Sequence, residues 1–229
     1  LERNTGDGAG ILFQIPHRFF RKEAQKYGHL LPDEGEYGVA MVFFPQDAEG
    51  AQVACRVFEE GCAEQGIPLL FWREVPIDPH DLGETALACM PTIYQAFLGR
   101  PADVPAGDEF ERKLYVCRRS IEKTAAAHHA LEGKIFYVCS MSSRTIVYKG
   151  MLVATQMRNF YLDLNDAAAE SALALVHSRY STNTTPSWER AHPNRFIIHN
   201  DEINTLKGNV NWIRAREPHL YSPVLQNDL

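Results

Sequence analysis

The sequence predicts an α+β fold with antiparallel pairing, and two observations carry that expectation. Strand-like segments arrive in runs with helical segments between them, not in the strict alternation that builds a parallel sheet. The 229 residues are 45% hydrophobic, enough for one sizeable core, and no linker rich in Pro, Gly or Ser, repeat or low-complexity tract divides them. The expectation is one domain over residues 1–229.

Thr5 to Gly10 read as a glycine-rich turn before a strand over 11–15. No helix start follows these glycines, so a phosphate cradle is a weaker reading than a tight turn. Pro16 ends the strand, and residues 19–26 read as a short helix closed by Gly28. Residues 38–44 form an apolar run stopped by Pro45, the pattern of a buried strand. From Gly50 to Gly66, Val53, Ala54, Val57, Phe58 and Cys62 recur at spacings of three and four, predicting an amphipathic helix.

A strand over 68–72 comes next, and then a segment carrying His80, Asp81, Glu84 and Cys89. That spacing fits no familiar metal geometry; a loop with a helix start at Asp81 or Glu84 is the better reading. Residues 92–98 alternate like a half-buried strand, and 101–107 are turn-rich. The longest helical stretch is 108–129, with Phe110, Leu114, Cys117 and Ile121 on one face. Arg112, Lys113, Arg118, Arg119 and Lys123 interleave with acids and read as a solvated face. Residues 135–141 and 144–149 predict a hairpin across Ser142-Ser143, and 156–161 a short helix.

The chain is organised around residues 172–212. The apolar run 172–176 opens into His177-Ser178-Arg179-Tyr180-Ser181-Thr182, and 196–198 opens into His199-Asn200-Asp201-Glu202-Ile203-Asn204-Thr205. Both runs read as buried strands, whose ends hold polar groups rigidly beside a cleft. Arg179 and the hydroxyls would suit a carboxylate, and the Asn200 amide an oxyanion. Turn or capping roles are the plainer alternative for the same residues.

A formal charge of −6, mixed along the chain, argues against a nucleic-acid partner. No apolar run approaches the ~18 residues that span a membrane, and no basic-then-apolar leader opens the sequence, so the expectation is a cytoplasmic protein that takes no membrane partner. Five irregularly spaced cysteines with no C-x-x-C pair read as reduced and mostly buried, and no metal site is assigned.

The two polar segments, together with Asn4-Thr5-Gly6-Asp7-Gly8-Ala9-Gly10-Ile11, Trp72-Arg73-Glu74-Val75-Pro76, Glu111-Arg112-Lys113-Leu114-Tyr115-Val116, Ser142-Ser143-Arg144-Thr145-Ile146-Val147-Tyr148-Lys149-Gly150-Met151 and Asn204-Thr205-Leu206-Lys207-Gly208-Asn209, occur in the order seen in one family. Over essentially its whole length the sequence resembles the glutaminase domain of glutamate synthase, a class II, N-terminal-nucleophile glutamine amidotransferase. The resemblance implies a four-layer α/β/β/α sandwich. It also implies hydrolysis of L-glutamine by an N-terminal cysteine whose own α-amine is the general base. Ammonia would pass to a synthase region of the same polypeptide, holding FMN and an iron–sulfur cluster and served by an electron-donating subunit or ferredoxin, and would there meet 2-oxoglutarate. No cofactor is implied for this chain itself.

Residue by residue, Arg179 matches the arginine that holds the glutamine carboxylate, Thr182 a second substrate position, Tyr180 the aromatic beside it, and Asn200 the oxyanion donor. Asp201 stands where the family has a glycine whose N–H is the second donor; its carboxylate would oppose developing negative charge. The nucleophilic cysteine and the downstream aspartate for the substrate amine are not matched, so the expectation is a domain truncated at both ends and inactive alone. The alternative is a degenerate domain that binds glutamine or a partner domain without catalysis.

Overall fold

The apolar runs sort into two antiparallel sheets. The computed structural model describes residues 8–179, 185–199 and 205–225, which fall into two units, Leu1–Ile198 and His199–Leu229. In the first unit, β2 (Tyr37–Phe44), β3 (Leu69–Glu74), β4 (Thr92–Gly99) and β5 (Tyr137–Ser142) form a sheet ordered β3-β4-β2-β5. A second sheet, ordered β6-β1-β7, joins β1 (Ala9–Gln14), β6 (Thr145–Gly150) and β7 (Ala174–His177). Every ladder is antiparallel. β2 lies between two partners and is buried at all eight positions, which is why its sequence is continuously apolar.

One face of the four-stranded sheet is covered by α2 (Ala48–Glu64) and α4 (Asp108–Ala127). The α2 N-terminus is capped by Asp47, whose carboxylate accepts from the Gly50 N–H at 2.8 Å. Val57 and Phe58 of α2 and Leu114 and Ile121 of α4 pack with Ala40, Val42 and Leu98 of the sheet. The opposite face meets α1 (His17–Lys26) and the three-stranded sheet. There the Phe20 ring stands edge-on to Phe97 at 5.1 Å, and the Gln95 amide donates to the Tyr148 hydroxyl at 2.8 Å. Two short helices, α3 (Glu84–Ala88) and α5 (Met157–Phe160), complete this unit. The second unit holds α6 (Leu206–Arg216), followed by a 3-10 turn at Glu217–His219.

Four sequence expectations change. β5 and β6 are not a hairpin: β5 pairs with β2 and β6 with β1, so the Ser142-Ser143 turn carries the chain from one sheet to the other. Glu111 of α4 accepts from Ser142 Oγ at 2.9 Å, Ser143 N–H at 2.5 Å and Ser143 Oγ at 2.6 Å, and Ser142 Oγ accepts from the N–H groups of Arg144 and Thr145. Those side chains take up the backbone groups a hairpin turn would have paired. β4 is not half-buried, because Ala96 and Leu98 pack under α2 and α4 while Ile93 and Phe97 pack on the opposite face with α1 and the second sheet. Arg118 is 6% exposed, not on the solvated face, since Glu122 accompanies it inward. The runs 172–176 and 196–198 are not buried strands. β7 is an edge strand whose Val176 is 62% exposed, and Phe196 is 69% exposed, the latter in a turn closed by a single Asn194–Ile197 bridge.

Candidate functional site

Residues 192–193 cross β1 at Gly10, beside the start of the first polar segment at His177. In the β1–β7 register Gly10 sits opposite His177, and a Cβ on Gly10 would strike the His192 carbonyl, so only glycine lets residues 192–193 cross the strand there. The His177 and His192 rings lie 4.8 Å apart. His177 Nδ1 accepts from the Arg179 N–H at 3.3 Å, turning the chain as it leaves β7. A cavity of about 490 Å³ opens at this strand end, lined by Gly10, Ile11, Met157, Arg158, His177 and Ser178.

Residues 188–195, which lead into the second polar segment, are anchored on β6. Trp188 is fully buried against Gly150, where a Cβ would overlap its ring, and its indole N–H donates to the Ala86 carbonyl at 3.1 Å. Lys149, also fully buried, donates to the Glu189 carbonyl at 2.8 Å and to the Asn194 side chain at 3.3 Å, with the Tyr137 ring 4.6 Å from its Nζ. Burial pushes the lysine pKa down to about 8. Arg195, in a left-handed conformation at φ 58°, bonds Glu122 of α4 at 2.7 Å and the Val138 carbonyl of β5 at 2.9 Å.

Comparison with known proteins identifies the family. Residues 1–229 match the family of glutamine amidotransferases, class II. The chain belongs to that family. The large chain of NADPH glutamate synthase from Bacillus subtilis is 47% identical over 226 residues, 99% of this chain and 14% of that protein. The NADH glutamate synthase of Schizosaccharomyces pombe is 45% identical over 94% of this chain. The ferredoxin-dependent glutamate synthase 1 of Arabidopsis thaliana, chloroplastic/mitochondrial, is 42% identical over 97%. This class II amidotransferase chain spans 14%, 10% and 14% of the lengths of those three relatives.

Of the residues carried over from the resemblance, Arg179 is described and exposed at the end of β7. Tyr180, Thr182, Asn200 and Asp201 lie outside the described residues. The five internal cysteines are free. Burial raises the thiol pKa of Cys55 to about 11 and of Cys139 to about 12, and raises Cys89 as well. Cys62 is raised by its hydrogen bond with Cys117, 3.9 Å away, and by burial. None of these four is poised as a thiolate nucleophile at neutral pH. Among the described residues no group of three or more His, Cys, Asp or Glu could hold a metal, and no helix is long and apolar enough to cross a membrane.

Sequence reasoning quoted Arg73 and Glu111 within motifs but gave neither a job. Glu111 clamps the turn between the sheets. Arg73 is the centre of a buried network: its guanidinium bonds both Asp163 oxygens at 2.7 and 2.8 Å, Glu23 at 3.0 Å and Gln95 at 2.8 Å. The Tyr148 hydroxyl donates to the same Asp163 at 2.8 Å. A charged residue inside the apolar-flanked strand 69–74 was the available signal, since an arginine there needs a buried carboxylate.

Proposed function

We propose that this chain is the glutaminase domain of a glutamate synthase. It hydrolyses L-glutamine to glutamate and delivers ammonia to the remaining synthase domains of the same polypeptide for reductive amination of 2-oxoglutarate. The observation that carries the reading is 47% identity to a glutamate synthase large chain across 99% of this chain. Two facing antiparallel sheets with α2 and α4 outside one of them support the four-layer α/β/β/α sandwich of N-terminal-nucleophile hydrolases. On this reading FMN and the iron–sulfur cluster bind elsewhere in the enzyme, an electron-donating subunit or ferredoxin serves it, and the cytoplasm is its compartment.

In the mechanism, Arg179 takes the glutamine α-carboxylate in its planar donor fork, with Thr182 and Tyr180 beside it. The nucleophile is the N-terminal cysteine of the family, a position none of the five cysteines here matches; burial also raises the Cys55, Cys89 and Cys139 thiols, and the hydrogen bond with Cys117 raises Cys62. As that thiol attacks the amide carbon, negative charge develops on the amide oxygen and the Asn200 side chain donates to it. Ammonia leaves and water cleaves the thioester. Residues 188–195 are pinned through Trp188, Lys149 and Arg195.

A second reading rests on Asp201: with a carboxylate where the family has glycine, the domain binds glutamine or a partner domain and does not hydrolyse it. Ammonia release from glutamine, measured on the polypeptide expressed with its upstream and downstream coding sequence, separates the two. Turnover that Asn200→Ala lowers about 100- to 1000-fold supports the glutaminase. Glutamine binding without ammonia, restored to turnover by Asp201→Gly, supports the second reading. Neither binding nor turnover overturns both.

A further inference from the structure

Away from that strand end, three guanidinium groups converge on one carboxylate. Glu122 of α4 accepts from Arg118 at 2.7 Å, from Arg119 at 2.6 Å and from Arg195 at 2.7 Å. Arg118 and Arg195 use the same Glu122 oxygen, Oε1, so two positive charges are held side by side on a single acceptor atom. Arg118 is buried, and its pKa is lowered by that burial and by the neighbouring Arg195 charge. Arg195 has a buried Nε–H with no acceptor. A buried Arg118 and a largely covered Arg195 sharing one carboxylate oxygen are short of negative charge and of acceptors.

A pocket of about 220 Å³ lies against these groups, lined by Arg118, Arg195, Tyr115, Met141 and Phe196. Two other charged residues face it. Glu111 has its oxygens engaged by Ser142 and Ser143, and Arg112 is paired with Glu109. The unmatched charge is therefore that of Arg118 and Arg195. The Arg118 guanidinium stacks over Tyr115 at 5.1 Å, Met141 and Phe196 supply apolar surface, and Ser140, Ser142 and Thr145 complete the lining.

We propose that this pocket between α4 and β5 binds a small carboxylate with an apolar stem, its oxygens on the guanidinium groups of Arg118 and Arg195 and its stem between Tyr115, Met141 and Phe196. The guanidinium fork matches a carboxylate in plane. The pocket volume suits a handful of heavy atoms, and its apolar walls favour a hydrocarbon stem over a bare inorganic anion.

The test is calorimetric titration of the chain with sodium butyrate, sodium acetate, inorganic phosphate and sodium chloride at matched ionic strength. Saturable butyrate binding is expected, about tenfold tighter than acetate because two further methylenes are buried. Arg195→Gln should weaken it at least tenfold, with Arg195→Lys in between. On the unaltered chain, butyrate but not chloride should slow modification of Arg195 by phenylglyoxal, read by mass spectrometry, so the proposal stays testable if a variant misfolds. Phosphate binding tighter than butyrate, heat effects shared by chloride, affinity unchanged in Arg195→Gln, or no protection of Arg195 would each overturn it. The same titration on the longer polypeptide assigns the source of the carboxylate. Saturation retained there means a free acid, and saturation seen only in the chain 1–229 means that an acidic side chain elsewhere in the polypeptide fills the pocket.

Discussion

The two faces of the four-stranded sheet are stabilised by different physics. On the side of α2 and α4, Phe58, Leu114, Cys117, Ile121, Val42 and Leu98 meet in hydrocarbon and thiol contact, and the buried Arg118 of α4 lies outside that cluster with Glu122. On the other side, aromatic packing surrounds buried Arg73, Glu23, Asp163 and Lys149. Apolar packing tolerates any side chain of similar volume, whereas each buried ion needs its partner at a stated distance. The helix-covered face holds by volume, and the face toward the second sheet also specifies which elements meet.

That difference predicts unequal responses to substitution. The largest loss is expected for Arg73→Leu, which strands Asp163 and Glu23 and should lower unfolding free energy by about 3–5 kcal/mol in urea titrations. Adding Asp163→Leu and Glu23→Leu should restore much of it, because an all-apolar cluster of similar volume needs no counter-charges. A triple variant no more stable than Arg73→Leu would break the comparison. On the helix side, Leu114→Ala should cost about 2–5 kcal/mol as a cavity, and no partner substitution by another apolar residue of unchanged size should rescue it.

A smaller, pH-shaped effect belongs to Lys149. With its folded pKa down at about 8, the unfolded chain holds a proton that the folded chain has lost between pH 8 and the ordinary lysine value near 10.4. Unfolding therefore takes up a proton in that window, and stability rises with pH by at most ~1.4 kcal/mol per unit from this group. Measured against Lys149→Met, the wild-type chain should gain on the variant as pH rises above 8. A difference that stays flat up to pH 10 would mean that the lysine stays charged. The smallest effect is expected for Arg18→Ala, since its bridge to Glu170 joins two exposed side chains; its thermal midpoint should be unchanged within error.

The same contrast shows what was legible in the sequence. The spacing of Val57, Phe58 and Cys62, and of Phe110, Leu114, Cys117 and Ile121, marks the buried faces of α2 and α4 because helical period is a local property. Arg73 and Asp163 lie 90 positions apart, and no local pattern couples them. Apolar character misled at Val176 and Phe196, since it records what a side chain favours and not what covers it. Charge misled at Arg118, which Glu122 escorts into the interior. The β5–β6 turn was visible, but whether its strands pair with each other depends on β1 and β2, far away in sequence. At the candidate site, the sequence shows Arg179 just past the run that becomes β7, whereas the anchoring by Trp188 and Lys149 depends on Gly150 and Ala86 lying beneath.

The pairing of β1 with β6, in which Gln14 meets Thr145, sets a timetable for synthesis. The first strand leaves the ribosome roughly 130 residues before either neighbour exists, a wait on the order of ten seconds at ordinary elongation rates. Its partners β6 and β7 are absent throughout that interval, whereas β2 and β4 can zip together much sooner. The nascent chain therefore offers β2, β3 and β4 to one another before β5 or either partner of β1 has been made.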